Sequence, residues 1–180
     1  MQGVVQMKVF KTAEASPDFL RNIQRVVVDA FNGRFSDDDW DHALGGTHVV
    51  VTEGDEILSH ASVVTRTLDV AGEAFRAGYI EGVGTAPARQ GQGLGSVAMT
   101  EITALVRRDF EMGALSTDAQ GFYEKLGWER WQGPTFVRGE SGLIRTEDED
   151  DGIMVLRFGR SEYLDLTAAI SCEERSGDDW

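Results

Sequence analysis

Apolar residues recur along this chain with two periods, and the switches between them mark its elements. Val4 to Phe10 is a short apolar stretch that predicts a first strand. Ser16-Pro17 reads as a helix start, a capping hydroxyl followed by proline in the first turn. Phe19, Leu20, Ile23, Val26, Val27, Ala30 and Phe31 continue at helical spacing until Asn32-Gly33 stops them. Ser36 to Trp40 predicts a second, short capped helix with acid in its first turn, ended by Gly45-Gly46. Valine-rich Thr47 to Thr52 reads as a strand, and Glu53 to Glu56 as a turn. Ile57 to Leu68 and Phe75 to Val83 follow as strands joined through Asp69 to Glu73.

The second half alternates in the same way. Leu94, Val97, Ala98, Ile102, Leu105 and Val106 predict a helix over roughly 93–111. Gly113 to Ser116 reads as a short strand, Ala119 to Leu126 as a helix closed by Gly127, and Trp128 to Trp131 as another short strand. Gly133 to Gly142 reads as a loop with an apolar centre, Ile153 to Phe158 as a strand, and Tyr163 to Ser171 as a last strand. This order predicts an α/β (α+β) fold, a mixed, mostly antiparallel sheet with helices on both faces. The whole of residues 1–180 reads as a single domain, long enough for a full core.

The strand ending at Val83 leads into Gly91, Gly93 and Gly95, just ahead of the helical run. Glycines there let the backbone adopt positive φ and approach a bulky ligand. At a helix N-terminus the first amides lack internal partners and face the positive end of the helix, so they bind phosphate oxygens. The segment therefore reads as a diphosphate cradle. No lysine follows the glycines, which excludes a Walker A loop. The Gly-x-Gly-x-Gly spacing is not that of a dinucleotide fingerprint, although Asp118 lies ~20 residues on, as that fingerprint would want.

Composition narrows the partners. The formal net charge is −14, which argues against nucleic acid and anionic membranes and favours a cationic partner or simple solubility. Cys172 is the one cysteine, so no internal disulfide forms, and His42, His48 and His60 are scattered without zinc spacing. No apolar run approaches the ~18 residues of a membrane span and no signal pattern opens the chain, so the expected location is the cytoplasm.

Gln90-Gly-Gln-Gly93-Leu-Gly95 matches Gln/Arg-x-x-Gly-x-Gly/Ala and resembles the acetyl-CoA loop of the GCN5-related N-acetyltransferases, whose element order this chain also follows. A closer resemblance runs through most of the chain. Phe35-x-x-x-Asp39-Trp40-x-His42-x-Leu44-Gly45-Gly46-x-His48, Gly78-Tyr79-Ile80-Glu81-Gly82-Val83 and Gly113-Ala114-Leu115-Ser116 are similar to segments of the aminoglycoside 2′-N-acetyltransferases. So are Gly127-Trp128-x-x-Trp131-x-Gly133, Arg145-Thr146 with its acidic run, and Cys172-x-x-Arg175-x-Gly177-Asp178-x-Trp180. The resemblance implies transfer of an acetyl group from acetyl-CoA to the 2′-amine of an aminoglycoside antibiotic, and a homodimer. Acetylation of another small amine or a peptide, and non-catalytic binding of acetyl-CoA, are the competing readings.

The residues fit that chemistry. An ammonium must lose a proton before it attacks, and Glu81, at the end of the strand leading to the glycine loop, is the candidate base, directly or through water. The Val83 N–H is the candidate donor to the acyl oxygen. The resemblance implies that Tyr123 protonates the departing sulfur; a tyrosine packed beside Phe122 and Leu126 is the structural alternative. For the cofactor the candidates are Val83, Thr85, Gln90, Gly91, Gln92, Gly93, Leu94, Gly95 and Ser96. For a polycationic substrate the resemblance implies Asp39, Glu81, Gly82, Ser116, Asp150 or Asp151, Asp178 and the tail at Trp180. A terminal tryptophan left exposed would gain nothing, which favours a tail at the substrate site over a frayed end. Arg34 departs from the family pattern, which often has an acid there. It points to a substrate bearing a carboxylate, as kasugamycin does, or it faces solvent or pairs with Asp37 or Asp38.

Overall fold

The computed structural model describes residues 4–180. The chain divides into two compact units, one holding the residues through Val64 with Ile80–Ala104, the other Thr65–Tyr79 with Leu105–Trp180. Neither is a single stretch of chain, because two strands and one helix each contribute residues to both.

The first unit contains β1 (Val5–Lys11), α1 (Pro17–Ala30), α2 (Asp37–His42) and β2 (Thr47–Glu53). It also takes the first part of β3 (Glu56–Val70), the last part of β4 (Glu73–Thr85) and the first part of α3 (Leu94–Asp109). β2 pairs antiparallel with β1 on one side and with β3 on the other, and β4 follows β3 in the sheet order. α1 starts as expected: Ser16 caps it, its hydroxyl accepting from the Phe19 N–H at 3.2 Å, with Pro17 in the first turn. The helix ends where Asn32 and Gly33 turn left-handed, at φ 53° and 76°. Ile23 and Val27 of α1 pack with Trp40, Ala43, Val50 and Ile57, and Phe10, Phe19 and Phe35 close the cluster's edge. Burying such side chains stabilises by about 1.5–3 kcal/mol each.

The second unit adds β5 (Met112–Ser116), α4 (Gln120–Glu124), β6 (Glu129–Arg130), β7 (Thr135–Gly139), β8 (Gly142–Arg145), β9 (Ile153–Arg157) and β10 (Ile170–Glu173). Two pairings here are parallel, β4 with β5 and β10 with β7; the others are antiparallel. The β4–β5 ladder covers Ala77–Tyr79 against Met112–Ala114.

Three regions differ from the sequence expectation. β3 and β4 run further than the periodicity suggests, so only Ala71 and Gly72 turn between them, at φ 52° and 86°. Two left-handed residues match the strand twist, and the Asp69 carboxylate receives the Gly72 N–H at 2.8 Å. The stretch read as a loop from Gly133 to Gly142 is the β7–β8 hairpin. Its hydrogen bonds go to β10, more than thirty residues away, a pairing that no local pattern announces. In the segment read as a last strand, only Ile170 onward is extended. Tyr163 is 89% exposed, and Asp165 folds its own turn by accepting from the Thr167 N–H and hydroxyl.

Gly46 sits where β2 begins, and a Cβ there would stand 1.9 Å from the carbonyl oxygen of Val63. Backbone would have to move against backbone. Gly46→Ala should therefore destabilise by about 3 kcal/mol, read as a lowered midpoint in chemical denaturation.

Candidate active site

In the first unit, β4 leaves extended geometry at Gly82, whose φ is +60°. A side chain there would be strained, and its Cβ would meet the ring of His60 at 3.3 Å. Polar side chains of β3 take the β4 carbonyls around this point. Ser62 donates to Glu81 O at 3.2 Å, Ser59 to Gly84 O at 3.1 Å, and His60 Nδ1 lies 2.7 Å from Gly82 O. The His60 ring continues to His48, with Nε2 to Nδ1 at 2.8 Å, and His48 Nε2 lies 2.7 Å from the Thr12 hydroxyl. That hydroxyl also receives the Gly45 N–H at 2.9 Å. Both rings are fully buried, and burial pushes them below the ordinary histidine value, His48 to about 4 and His60 to about 3. Glu81 and Val83, on either side of Gly82, are half-buried.

From Thr85 at the end of β4 the chain runs through a largely exposed loop to Leu94, which is buried. Gln90 donates to the Thr85 carbonyl, and Gln92 accepts from Arg89. Gly91 and Gly93 have φ of 76° and 79°, and nothing lies within 4 Å of where a Cβ would stand on either. α3 begins at Leu94, and the first amides of a helix lack internal partners. An open, left-handed glycine loop running into a helix of 16 residues fits a diphosphate, with the first-turn amides as its donors. Elsewhere in this unit, Asp39 closes a capping box: its Oδ2 receives the Ser36 N–H at 2.7 Å and the Ser36 hydroxyl at 2.8 Å. Arg34 is exposed and makes no ion pair among the described residues.

The second unit holds a cleft of about 470 Å³ lined by Glu147, Asp148, Glu149, Asp178, Asp179 and Trp180, with Arg145 as its basic side chain. The acids expected from this run were Asp150 and Asp151, and neither lines the cleft. Asp150 turns inward instead: it pairs with Arg145 and accepts from the Thr135 N–H and hydroxyl, both at 3.0 Å. The Arg145 guanidinium, first among these, holds the carboxyl at about 2. Asp151 is exposed. Glu149, like Glu147, Asp148 and Asp179, lines the cleft without having been named from the sequence. Its carboxyl is 3.4 Å from the Ser116 hydroxyl, and burial first, then the charges of Asp178, Asp148 and Asp118, raise it above the ordinary carboxylate range.

The tail is packed rather than frayed. Trp180 is 3% exposed and donates through Nε1 to the Thr146 hydroxyl at 3.1 Å. Arg66, 4% exposed, fastens it by donating to the carbonyls of Asp179 at 2.6 Å and Glu173 at 2.7 Å. The guanidinium also stacks 4.7 Å from the Tyr79 ring. Its sequence signal is an arginine in alternation with buried Leu68 and Val70, a position that obliges burial and therefore partners. Tyr123 on α4 is buried, its ring meeting Phe122 edge-on at 4.9 Å. Burial pushes its phenol above the ordinary value, against a hydrogen bond to Thr117.

The profile of the acetyltransferase (GNAT) domain matches residues 11–131. The chain is also 38% identical to an aminoglycoside 2′-N-acetyltransferase of Mycolicibacterium fortuitum over 177 residues, 96% of this chain and 91% of that protein. It belongs to the GNAT acetyltransferases, within the aminoglycoside 2′-N-acetyltransferase family. Solved GNAT proteins share the fold at low identity. A Brucella melitensis GNAT-family acetyltransferase, in complex with acetyl-CoA, is 19% identical with a TM-score of 0.61, covering 92% of this chain and 94% of that one. The Escherichia coli N-acetyltransferase YhbS, in complex with CoA, is 15% identical with a TM-score of 0.64, covering 98% and 94%. Membership of this family makes acetyl-CoA the acyl donor. Among the described residues no helix is long and apolar enough to cross a membrane, and no cluster of side chains could hold a metal ion.

Arg66→Met keeps much of the buried stem but leaves two tail carbonyls without their donor. It should destabilise by about 2–4 kcal/mol and raise hydrogen exchange across 173–180 before it does so elsewhere. Unchanged exchange in that segment would show that the tail holds without Arg66.

Proposed function

We propose that this chain transfers the acetyl group of acetyl-CoA to the 2′-amine of an aminoglycoside antibiotic. The observation that carries the reading is the cleft lined by five carboxylate residues and closed by Trp180. A polycation suits such a surface, whereas a neutral or anionic substrate would leave clustered like charges uncompensated. The Mycolicibacterium fortuitum relative supports the same substrate class by its name.

The roles follow from chemistry. Acetyl-CoA supplies an activated acyl carbon and a thiolate leaving group. Glu81 takes the proton that the substrate ammonium must lose, directly or through water. The Val83 N–H donates to the acyl oxygen, where negative charge develops. Tyr123, kept neutral by its burial, is a proton donor for the sulfur. Val83, Thr85, Gln90, Gly91, Gln92, Gly93, Leu94, Gly95 and Ser96 hold the cofactor. Asp39, Gly82, Ser116, Glu149, Asp178 and Trp180 bind the drug. Asp150 acts in this scheme through Arg145 and Thr135, whose positions it sets. The exposed, unpaired charge of Arg34 supports a substrate with an anionic substituent of the kasugamycin kind over a uniformly cationic one. Resistance to the drug would follow from loss of a binding cation on acetylation.

The test is release of free thiol from acetyl-CoA with kasugamycin, gentamicin, tobramycin and a peptide panel. Turnover confined to peptides would overturn the substrate class. Glu81→Gln should lower kcat by on the order of 10²–10⁴ while acetyl-CoA affinity, measured by calorimetry, stays nearly constant.

Glu149 adds a pH dependence. Its raised pKa leaves a proton on the free protein at mildly acid pH, just above the ordinary carboxylate range. A bound polycation favours the charged form and expels that proton, so drug affinity should rise with pH through that window and level off above it. Calorimetry in buffers of different ionisation heat should detect the released proton. Glu149→Gln should abolish it and weaken binding on the order of tenfold.

A further inference from the structure

Two histidines that chemistry does not otherwise use are buried in the first unit, and their hydrogen bonds run in one direction only. Gly82 O is a carbonyl and can only accept, so His60 Nδ1 carries the proton in that 2.7 Å contact. A neutral ring then has a bare Nε2, which must accept, so His48 Nδ1 carries the next proton across 2.8 Å. His48 Nε2 accepts in turn from the Thr12 hydroxyl at 2.7 Å, and that oxygen still accepts the Gly45 N–H at 2.9 Å. Every group is satisfied with no net charge, and burial keeps both rings neutral. The rings are also clamped from the sides. Phe10 stacks on His48 at 5.3 Å, and Trp40 tilts against His60 at 5.9 Å.

A chain ending on a carbonyl cannot pass a proton to a substrate. It can fix a direction. The Gly82–Val83 peptide is planar and trans, so its N–H points opposite to its C=O. Gly82, at φ +60°, has no side chain to resist rotation of that plane. We propose that His60, backed by His48 and Thr12, is a positioning residue that aims the Val83 N–H at the acyl oxygen by holding Gly82 O from the other side. This rests on the acetyl-transfer reading of the site for its kinetic consequence, but not for its geometry.

Four measurements test it. In wild type, 15N spectra at neutral pH should show both buried rings as neutral Nδ1–H tautomers; a proton on Nε2 of His60 would overturn the proposal. The Val83 amide resonance should shift strongly on adding acetyl-CoA. His60→Phe keeps a planar ring without donors and should lose more than half of that shift, while His60→Asn, with a donor near the Nδ1 position, should regain it. An equal shift in wild type and His60→Phe would overturn the proposal without reference to any substrate. On an amine that wild type acetylates, His60→Phe should lower kcat on the order of 10- to 100-fold, with acetyl-CoA affinity within about threefold. A kcat within twofold of wild type would overturn it. Should His60→Phe not fold, Thr12→Val removes only the far end of the chain and should lower kcat a few-fold; an unchanged kcat there overturns it equally. Failure of wild type on every aminoglycoside would refute the substrate reading and leave the spectroscopic arms decisive.

Discussion

A single peptide in β4 constrains the polar packing of the first unit. At Gly82 the strand takes a positive φ, and its carbonyl lies 2.7 Å from a buried imidazole. A buried carbonyl without a donor costs on the order of 1–3 kcal/mol, so the surrounding strand must supply one. That requirement explains why β3 carries Ser59, His60 and Ser62 at positions with no exposure. Each places a donor against a β4 carbonyl. The polar residues are thus part of what the core requires, since each satisfies a carbonyl that burial has cut off from water.

In the second unit the same principle separates structural acids from available ones. Asp150 has its oxygens filled by Arg145 and Thr135, and Glu129 has both of its oxygens filled by Arg157. Such carboxylates are held ionised by protein donors, so an external cation gains little from them. Glu149 is half-buried among like charges in the cleft, and burial first, then those charges, oppose its ionisation. A group in that state gains most from an arriving cation. The formal charge of −14 is therefore divided. Part of it is neutralised inside the fold by protein donors, and part stays uncompensated in the cleft, a charge distribution suited to a polycation.

The tail connects packing to recognition. Arg66 cannot be buried without acceptors, and the acceptors it finds are carbonyls of the last strand and of the tail. Trp180 cannot be buried without a partner for its indole N–H, and it finds Thr146, beside the acidic run. Two side chains with obligatory partners thereby fix the backbone that lines the cleft.

Local pattern was enough to determine much of this. Helical spacing and caps defined α1, α2 and α3, and short apolar runs between turn residues defined β2, β3, β4 and β9, while the glycines ahead of Leu94 marked an open, left-handed loop. These signals are legible because helix caps, strand runs and left-handed turns are decided within a few residues. The tertiary structure alone decided the rest. It made a hairpin of Thr135–Arg145 by giving β7 a parallel partner in β10, and it turned Asp150 inward while facing Glu149 to the cleft. It also brought His48 and His60 into contact, two histidines twelve residues apart that the sequence showed as scattered. Their meeting depends on strand register, which pairs Val50 with His60 and so sets His48 diagonally beside it. Register and long-range pairing are properties of the folded sheet, and a linear pattern does not encode them.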